Sequence, residues 1–217
     1  MRTLEVRWLG TVPYDAALKL QQDLVAARQA GSVPDTLLLL EHPHVITVGV
    51  SGRRERTNVL ESATTLAERG VVVYDAPRGG DTTYHGPGQL VGYPIIDLKP
   101  DRCDVHRYVR SLEEVLIQAV GACGVESGRV EGLTGIWVGN DKLAAIGVRI
   151  ARWVTSHGFA LNISTDLDFF RLIRPCGIVG RGVTSLATLL EKPPSFESVR
   201  DLVAGQFLET FDFGKNH

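Results

Sequence analysis

The chain has 217 residues, of which 44% are hydrophobic and 22% are charged, and its net charge is −2. This composition is typical of a folded globular protein, and a charge so close to zero gives no general attraction to nucleic acid or to an anionic membrane. No apolar run approaches the roughly 18 residues that a membrane span needs, and Glu5 and Arg7 interrupt the first apolar stretch, which argues against a signal peptide. We therefore expect a soluble protein that binds neither nucleic acid nor membrane.

The cysteines are Cys103, Cys123 and Cys176. Their odd number, their wide spacing and the lack of a CxxC pair predict neither a disulfide framework nor a zinc site. The simplest interpretation is a reducing compartment, so we expect a cytoplasmic protein without a metal.

The first part of the chain predicts one helix and three strands. Apolar side chains recur on one face of residues 14–30, which predicts a helix. Residues 36–40 and 45–48 are apolar runs of strand length separated by a His-Pro-His segment, and residues 71–74 form another β-branched run.

Residues 77–92 are rich in glycine and proline, which predicts a loop, although residues 82–85 could form a short strand within it. A strand is predicted again over residues 93–98. Pro94 favours an edge strand or an irregular position there, because proline has no N–H to donate to a neighbouring strand.

The second half begins with a helix predicted over residues 104–122, where an aspartate precedes an apolar stripe. Residues 135–138, 142–150 and 157–163 predict consecutive strands, and Gly139-Asn140-Asp141 is typical of a hairpin turn.

Ser195 can cap a last helix that runs to about Phe211. Helices and strands are interspersed without strict βαβ alternation, which favours an α/β protein of the α+β type. We expect a single catalytic domain over residues 1–217, with a mixed, largely antiparallel central sheet flanked by helices.

The segment 78–89 reads Arg-Gly-Gly-Asp-Thr-Thr-Tyr-His-Gly-Pro-Gly-Gln. So many glycines cost conformational entropy, which is offset where backbone N–H groups approach a bound group closely. The segment is neither a Walker loop nor a GxGxxG fingerprint. By pattern alone a tight multi-turn loop is favoured, and His85 by itself is more typical of a hydrogen-bonded structural histidine than of a catalyst.

Two residues could form a nucleophile and its base. Cys176 follows Arg174-Pro175, and a nearby arginine favours the thiolate, although most single cysteines are inert. Lys142 opens the strand Lys-Leu-Ala-Ala-Ile-Gly-Val. A lysine at a strand edge is usually a solvated charge, but beside a thiol it would stabilise the thiolate and, once neutral, accept a proton.

Two weaker features remain open, and a third is rejected. The small residues Ala144, Ala145 and Gly147, with the segment 158–160, either leave room for an aliphatic tail or let a helix pack closely on the sheet. The basic segment 52–56 is a solvated loop or a docking site for an acidic partner such as an acyl carrier protein. His42-Pro43-His44 offers too few ligands for a metal site.

Taken together, these segments resemble the lipoyl(octanoyl) transferase family. The matching blocks cover nearly the whole chain in the expected order. They are residues 78–80, 83–89, 91 and 93–94, then 142–147, 157–162 and 175–177.

The resemblance implies the fold of the biotin and lipoate protein ligases. It also implies an activity: transfer of an octanoyl group from acyl carrier protein to a lysine of a lipoyl domain, as the first step of endogenous protein lipoylation, without ATP or another cofactor. The implied donor is octanoyl-acyl carrier protein. The implied acceptors are the apo lipoyl domains of 2-oxoacid dehydrogenase E2 subunits and the glycine cleavage H protein.

The resemblance further implies that Cys176 carries the acyl group as a thioester and that Lys142 is its acid/base partner. The residues implied to contact the substrate are Arg78, Gly79, Gly80, Asp81, Thr82, Thr83, Tyr84, His85, Ala145, Ile146, Gly147, Gly158, Phe159 and Ala160. The alternatives are an ATP-dependent lipoate or biotin protein ligase on the same fold, a cysteine thioesterase, and a lipoyl- or acyl-binding scaffold.

Overall fold

The computed structural model describes residues 2–52, 58–174 and 180–214. Its strands are β1 (Leu4–Thr11), β2 (Asp35–Glu41), β3 (Val45–Val48), β4 (Val72–Asp75), β5 (Thr82–His85), β6 (Gln89–Ile95), β7 (Gly128–Val130), β8 (Leu133–Val138), β9 (Asp141–Ala151), β10 (Val154–Asn162) and β11 (Gly182–Val183). Its α-helices are α1 (Tyr14–Gln29), α2 (Ala63–Glu68), α3 (Val105–Gly121), α4 (Leu186–Leu189) and α5 (Phe196–Thr210), and a 3-10 helix covers Leu167–Leu172.

Two sheets organise the described residues. The larger has eight strands in the order β1-β2-β6-β10-β9-β8-β7, with β11 paired to β9, and the smaller has the order β4-β3-β5. In the larger sheet β1 runs parallel to β2 and β11 parallel to β9, whereas the other neighbours are antiparallel. The predicted mixed, largely antiparallel sheet flanked by helices is confirmed.

The large sheet is covered on both faces, and this explains the unbroken apolar run of β2. Leu37 and Leu39 point into the core that α3 and α5 cover, whereas Leu38 and Leu40 point toward α1. Because successive side chains of a strand alternate between faces, a strand buried on both sides needs apolar residues at every position.

The predicted long helices are confirmed, together with two of their caps. The Asp104 side chain accepts a hydrogen bond from Arg107 N at 2.9 Å, and the Ser195 side chain accepts one from Ser198 N at 3.2 Å. Each satisfies one of the backbone donors that the start of a helix leaves without an intrahelical partner. The start of each of these two helices is therefore encoded by its local sequence.

Pro94 lies in β6, between β2 and β10, so the edge-strand alternative is wrong and the irregular position is the correct one. The β6–β10 ladder ends at the pair Gly92 and Phe159. Beyond it Thr155 Oγ1 donates to Pro94 O at 2.7 Å, and His157 has a positive φ of 54°. The proline thus occupies the place where a ladder hydrogen bond is already lost.

The loop prediction for residues 77–92 is wrong at its end, because β6 starts at Gln89. Gln89, Leu90 and Val91 are buried between β2 and β10, and this burial overrides the loop-forming composition of the preceding residues. The short strand expected over residues 82–85 is β5.

A buried carboxylate attaches α3 to the end of the sheet. Glu113 is fully buried, and its side chain accepts hydrogen bonds from Arg110 Nη1 at 2.6 Å, Arg129 Nε at 3.0 Å and Gly135 N at 3.1 Å. A buried charge is tolerated only when it is paired and hydrogen-bonded in this way. The contact fixes the first half of α3 beside β8, where both line the cavity described below.

Within the described residues, none of the helices combines the length and the apolar composition that crossing a membrane requires.

Candidate active site

A cavity of about 460 Å³ lies between the glycine-rich segment and the centre of the large sheet. Three walls are formed by residues 78–83, by residues 145–148 of β9 and by residues 157–160 of β10. Val105 and Val109 of α3, with residues 132–134, line another part.

Glycines let the loop lie directly on the sheet. Gly79 N donates to Val148 O at 2.9 Å, which joins the loop to β9. A Cβ on Gly147 would lie 3.0 Å from Gly79 O and 3.1 Å from Arg78 Cδ, and one on Gly49 would collide with Gly80 O. The close approach of the backbones therefore requires glycine at position 49, and a side chain at position 147 would push the loop away by a few tenths of an ångström.

The structure brings the predicted substrate-contacting residues together, with one exception. The predicted residues that line the cavity are Arg78, Gly79, Gly80, Asp81, Thr82, Thr83, His85, Ala145, Ile146, Gly147, Gly158, Phe159 and Ala160. Tyr84 does not line it. Its side chain is fully buried in the core of the small sheet, where its hydroxyl forms a 2.7 Å hydrogen bond with His44 Nδ1.

The two interpretations of the small residues in β9 apply to opposite faces of the strand. Ala145 and Gly147 line the cavity, whereas Ala144 belongs to the core covered by α3 and α5. The small side chains on the first face leave room for a ligand, and the one on the second allows close packing.

Arg78 is almost completely buried and is held by acceptors of the small sheet. Its Nη2 donates to Thr47 O and to Thr47 Oγ1, both at 2.8 Å, and its Nη1 donates to Gly79 O at 3.0 Å. The guanidinium thereby places a fixed positive charge at the inner end of the cavity.

His85 is held in one tautomer by a chain of amides. Gln89 Nε2 donates to Tyr84 O at 3.2 Å and to Asn162 Oδ1 at 2.9 Å, so Gln89 Oε1 is left to accept from His85 Nδ1 at 2.8 Å. His85 Nε2 is then an acceptor, and Thr47 Oγ1 lies 3.4 Å from it. Burial, with the positive charge of Arg78 and the neighbouring His42, holds the pKa of His85 well below its usual value. The residue is therefore a neutral hydrogen-bonding group.

The same chain of amides reaches the strand that carries Lys142. Asn162 Nδ2 donates to Thr184 O at 3.0 Å, and Thr184 N donates to Lys142 O at 3.0 Å. Since Gln89, Asn162 and Thr184 are all buried, each hydrogen bond replaces one that water cannot supply. We name the side chains of His85, Gln89 and Asn162 the amide relay.

Two further histidines near the cavity are also neutral. Burial lowers the pKa of His42 to about 4, and its Nε2 accepts from the Tyr93 hydroxyl at 2.8 Å. Burial and the positive charges of Arg78 and Arg149 lower the pKa of His157 to about 3. In the described part of the chain, no group of three or more His, Cys, Asp or Glu residues could hold a metal ion.

Lys142 lies at the opposite end of β9 from Val148, half-buried and lining the cavity. It pairs with Trp137 of β8 and, on its other side, with Val183 of β11. Its Nζ is 4.7 Å from the centre of the Trp137 ring. Nothing in the sequence pattern indicated that Trp137 would lie beside Lys142, because that contact arises from the pairing of β8 with β9.

Cys176 falls within residues 175–179, outside the residues that the structure describes. The other two thiols, Cys123 and Cys103, lie beside backbone carbonyl groups outside the cavity. Cys123 Sγ donates to Ala119 O at 3.4 Å, and burial raises its pKa. Cys103 is exposed, with its Sγ 3.6 Å from Leu98 O. Neither lines the cavity. The basic segment 52–56 is also outside the description, apart from Gly52.

Known proteins of similar structure define the fold. The chain matches a lipoate-protein ligase A bound with ATP with a TM-score of 0.79 and 18% identity, covering 100% of this chain and 89% of that one. A biotin protein ligase from Aquifex aeolicus gives a TM-score of 0.54 and 10% identity, covering 98% and 70%. The fold is that of the lipoate and biotin protein ligases, as the resemblance implied.

Sequence comparison identifies the family within that fold. Residues 13–208 match the lipoyl protein ligase A/B catalytic domain, and the chain belongs to this family. A protein named octanoyltransferase from Solibacter usitatus is 50% identical over 98% of this chain and 95% of its own length. Another of that name, from Geobacter metallireducens, is 52% identical over 93% and 91%.

Proposed function

We propose that the protein is an octanoyltransferase that moves a medium-chain acyl group from acyl carrier protein to a lysine of a lipoyl domain. The observation that carries the proposal is the identity of about 50%, over nearly the whole length of both chains, to proteins named octanoyltransferase. The cavity supports it, because small and apolar residues of β9 and β10 line a space suited to an alkyl chain.

In the proposed first step Lys142, as the neutral amine, takes the proton of the Cys176 thiol. The thiolate attacks the thioester carbonyl, the new C–S bond forms, and the phosphopantetheine thiolate leaves and receives the proton from Lys142. One thioester replaces another, so the step is nearly isoenergetic and needs no nucleotide.

In the proposed second step the amine of the acceptor lysine attacks the Cys176 thioester. Lys142 removes the proton that the attacking nitrogen must lose and returns it to the departing Cys176 thiolate. Because a covalent enzyme intermediate separates the two steps, we expect ping-pong kinetics.

Each tetrahedral intermediate carries an oxyanion that backbone N–H groups can stabilise. The candidates are the backbone N–H groups of the loop at Gly79 and Gly80 and of the strand near Leu143. Gly79 N already donates to Val148 O, so this N–H is not available as it stands. Gly80 and the residues near Leu143 remain the candidates.

The proposed acceptors are the lipoyl domains of 2-oxoacid dehydrogenase E2 subunits and the glycine cleavage H protein, and the proposed location is the cytoplasm. A reducing compartment keeps a nucleophilic thiol in its active form.

The proposal is tested by supplying the purified protein and an apo lipoyl domain either with octanoyl carrier protein and no nucleotide or with free octanoate and ATP. Intact mass of both proteins is then measured, and the hydroxylamine-labile adduct is mapped. We expect modification of the lipoyl domain in the first mixture, through an adduct on Cys176. Modification only in the second mixture would identify an ATP-dependent ligase, and release of free octanoate without transfer would identify a thioesterase.

The amide relay predicts a loss of turnover when its last hydrogen bond is broken. In Asn162→Asp, a carboxylate oxygen would face Thr184 O in place of an N–H donor. Because Thr184 N holds the backbone of Lys142, we expect turnover to fall by about 10-fold or more while the KM for the donor changes little. Steady-state kinetics with octanoyl carrier protein would measure both.

A matched control for Asn162→Asp is Thr155→Val, which removes a buried hydroxyl that bonds Pro94 O and Ile96 N away from Lys142. Melting temperatures of both variants report their loss of stability. An equal loss of turnover in the two variants would contradict a specific role of the relay.

A further inference from the structure

The indole ring of Trp137 lies within reach of two cationic side chains. Lys142 Nζ is 4.7 Å from its centre and Arg181 Cζ is 5.1 Å from it. Trp137 itself is only 3% exposed, so water has little access to the ring. These distances are those of cation–π interactions, which are strongest where the ring and the cation are desolvated.

Strand pairing brings the three residues together. A tight turn at Gly139 and Asn140 joins β8 to β9, and Trp137 is the direct cross-strand partner of Lys142. The chain then returns as β11 on the other side of β9, where Val183 pairs with Lys142 and Gly182 with Asp141. Arg181 immediately precedes β11, in the part of the chain that follows the segment containing Cys176, and it reaches the ring from there.

The two contacts act on the Lys142 ammonium in opposite directions. The face of an aromatic ring carries partial negative charge and stabilises a cation above it. A second cation at the same ring repels the ammonium and favours the neutral amine. A group that must alternate between ammonium and amine depends on this balance.

The other charged and titratable groups near Lys142 have separate surroundings. On its own strand the Asp141 carboxylate lies against Gly182, and from α3 Glu113 is bound by Arg110 and Arg129. The described charged and titratable groups that line the same cavity, besides Lys142, are Tyr14, Arg78, Asp81, His85, Tyr93 and His157. The proposed function adds Cys176, which belongs to the segment outside the described residues.

We propose that Trp137 is a positioning residue for the transfer reaction: its ring holds the Lys142 side chain at the cavity and, together with Arg181, sets the balance between the ammonium and amine forms. The inference rests on the proposed role of Lys142 in the octanoyl transfer. It assigns a function to Trp137 and Arg181, which lie outside the sequence blocks that carry the family resemblance.

The test is the pH dependence of Cys176 acylation, measured in single turnover with octanoyl carrier protein. Trp137→Leu removes the interaction that stabilises the ammonium, so we expect the profile to move to lower pH by roughly half a unit to one unit. Arg181→Met removes a repelling cation and should move the profile to higher pH. In the proposed mechanism a proton passes between Lys142 and Cys176, so the whole profile is compared rather than one limb.

Two further variants complete the experiment. Trp137→Phe keeps a weaker aromatic face and should give an intermediate shift, and it also serves if Trp137→Leu does not fold. Trp8→Leu is the matched control, because Arg200 Cζ lies 5.2 Å from the Trp8 ring on β1, away from the cavity; we expect no shift.

The proposal is overturned if Trp137→Leu lowers the rate without moving the profile, or if Trp137→Leu and Arg181→Met move it in the same direction. Failure of the octanoyl transfer itself is recognised separately. In that case the protein without any substitution would form no hydroxylamine-labile adduct on Cys176, whatever the variants do.

Discussion

Replacing Cys176 by serine is expected to abolish the thioester-linked acyl-enzyme and to lower transfer to the lipoyl domain by about 10³-fold or more. A serine hydroxyl is far less acidic than a thiol, so Lys142 cannot supply a useful concentration of the oxyanion nucleophile. Intact mass after mixing with octanoyl carrier protein measures the adduct, and the rate of lipoyl-domain modification measures transfer.

The other cysteines supply matched controls for this experiment. Cys123→Ser changes a thiol whose pKa is raised by burial and whose Sγ is bound to Ala119 O. Cys103→Ser changes an exposed thiol outside the cavity. Both variants should retain the adduct and the transfer rate. Full transfer by Cys176→Ser would refute the Cys176 thioester, because the acyl group would then reach the acceptor without this thiol.

Replacing Lys142 by methionine is expected to slow both half-reactions by roughly 10² to 10⁴-fold, while the Cys176 thiol remains present. Methionine keeps most of the side-chain length and its packing against Trp137 but has no proton to give or take. Separate single-turnover measurements of acylation by octanoyl carrier protein and of transfer to the lipoyl domain show whether both steps are affected.

Lys19→Met is the control for Lys142→Met, because Lys19 is exposed on α1 and forms an i,i+4 ion pair with Asp23. It should have no measurable effect on either step. Undiminished turnover of Lys142→Met would refute the acid/base role, and slowing of the second step alone would restrict that role to the acceptor lysine.

Local sequence determines the elements whose ends carry their own signals. Asp104 and Ser195 cap α3 and α5, and the turn between β8 and β9 forms at Gly139 and Asn140 as expected. β1 was not predicted from the sequence. It is an edge strand in which Leu4 is the one buried residue, and Val6 and Trp8 are each 40% exposed, so no burial pattern distinguishes it.

In the candidate site, too, the sequence indicated some features and the fold decided others. Glycine-rich composition indicated the loop at residues 78–80, and the resemblance supplied most of the residues that line the cavity. Tyr84 was included because it lies within the motif, but alternation along β5 turns its side chain into the core of the small sheet. A contiguous motif does not specify which of its side chains face the ligand.

The sequence alone determined the composition of the core, the caps of the long helices, the membership of a family and the order of the chemical motifs along the chain. Only the tertiary structure decided that the Gln89 and Asn162 amides connect His85 to the strand of Lys142. It also decided that Lys142 and Arg181 share the ring of Trp137. These relations depend on strand register, which is set by the burial of both sheet faces at once. Residues far apart in the chain become neighbours through it, and no local pattern records the pairing.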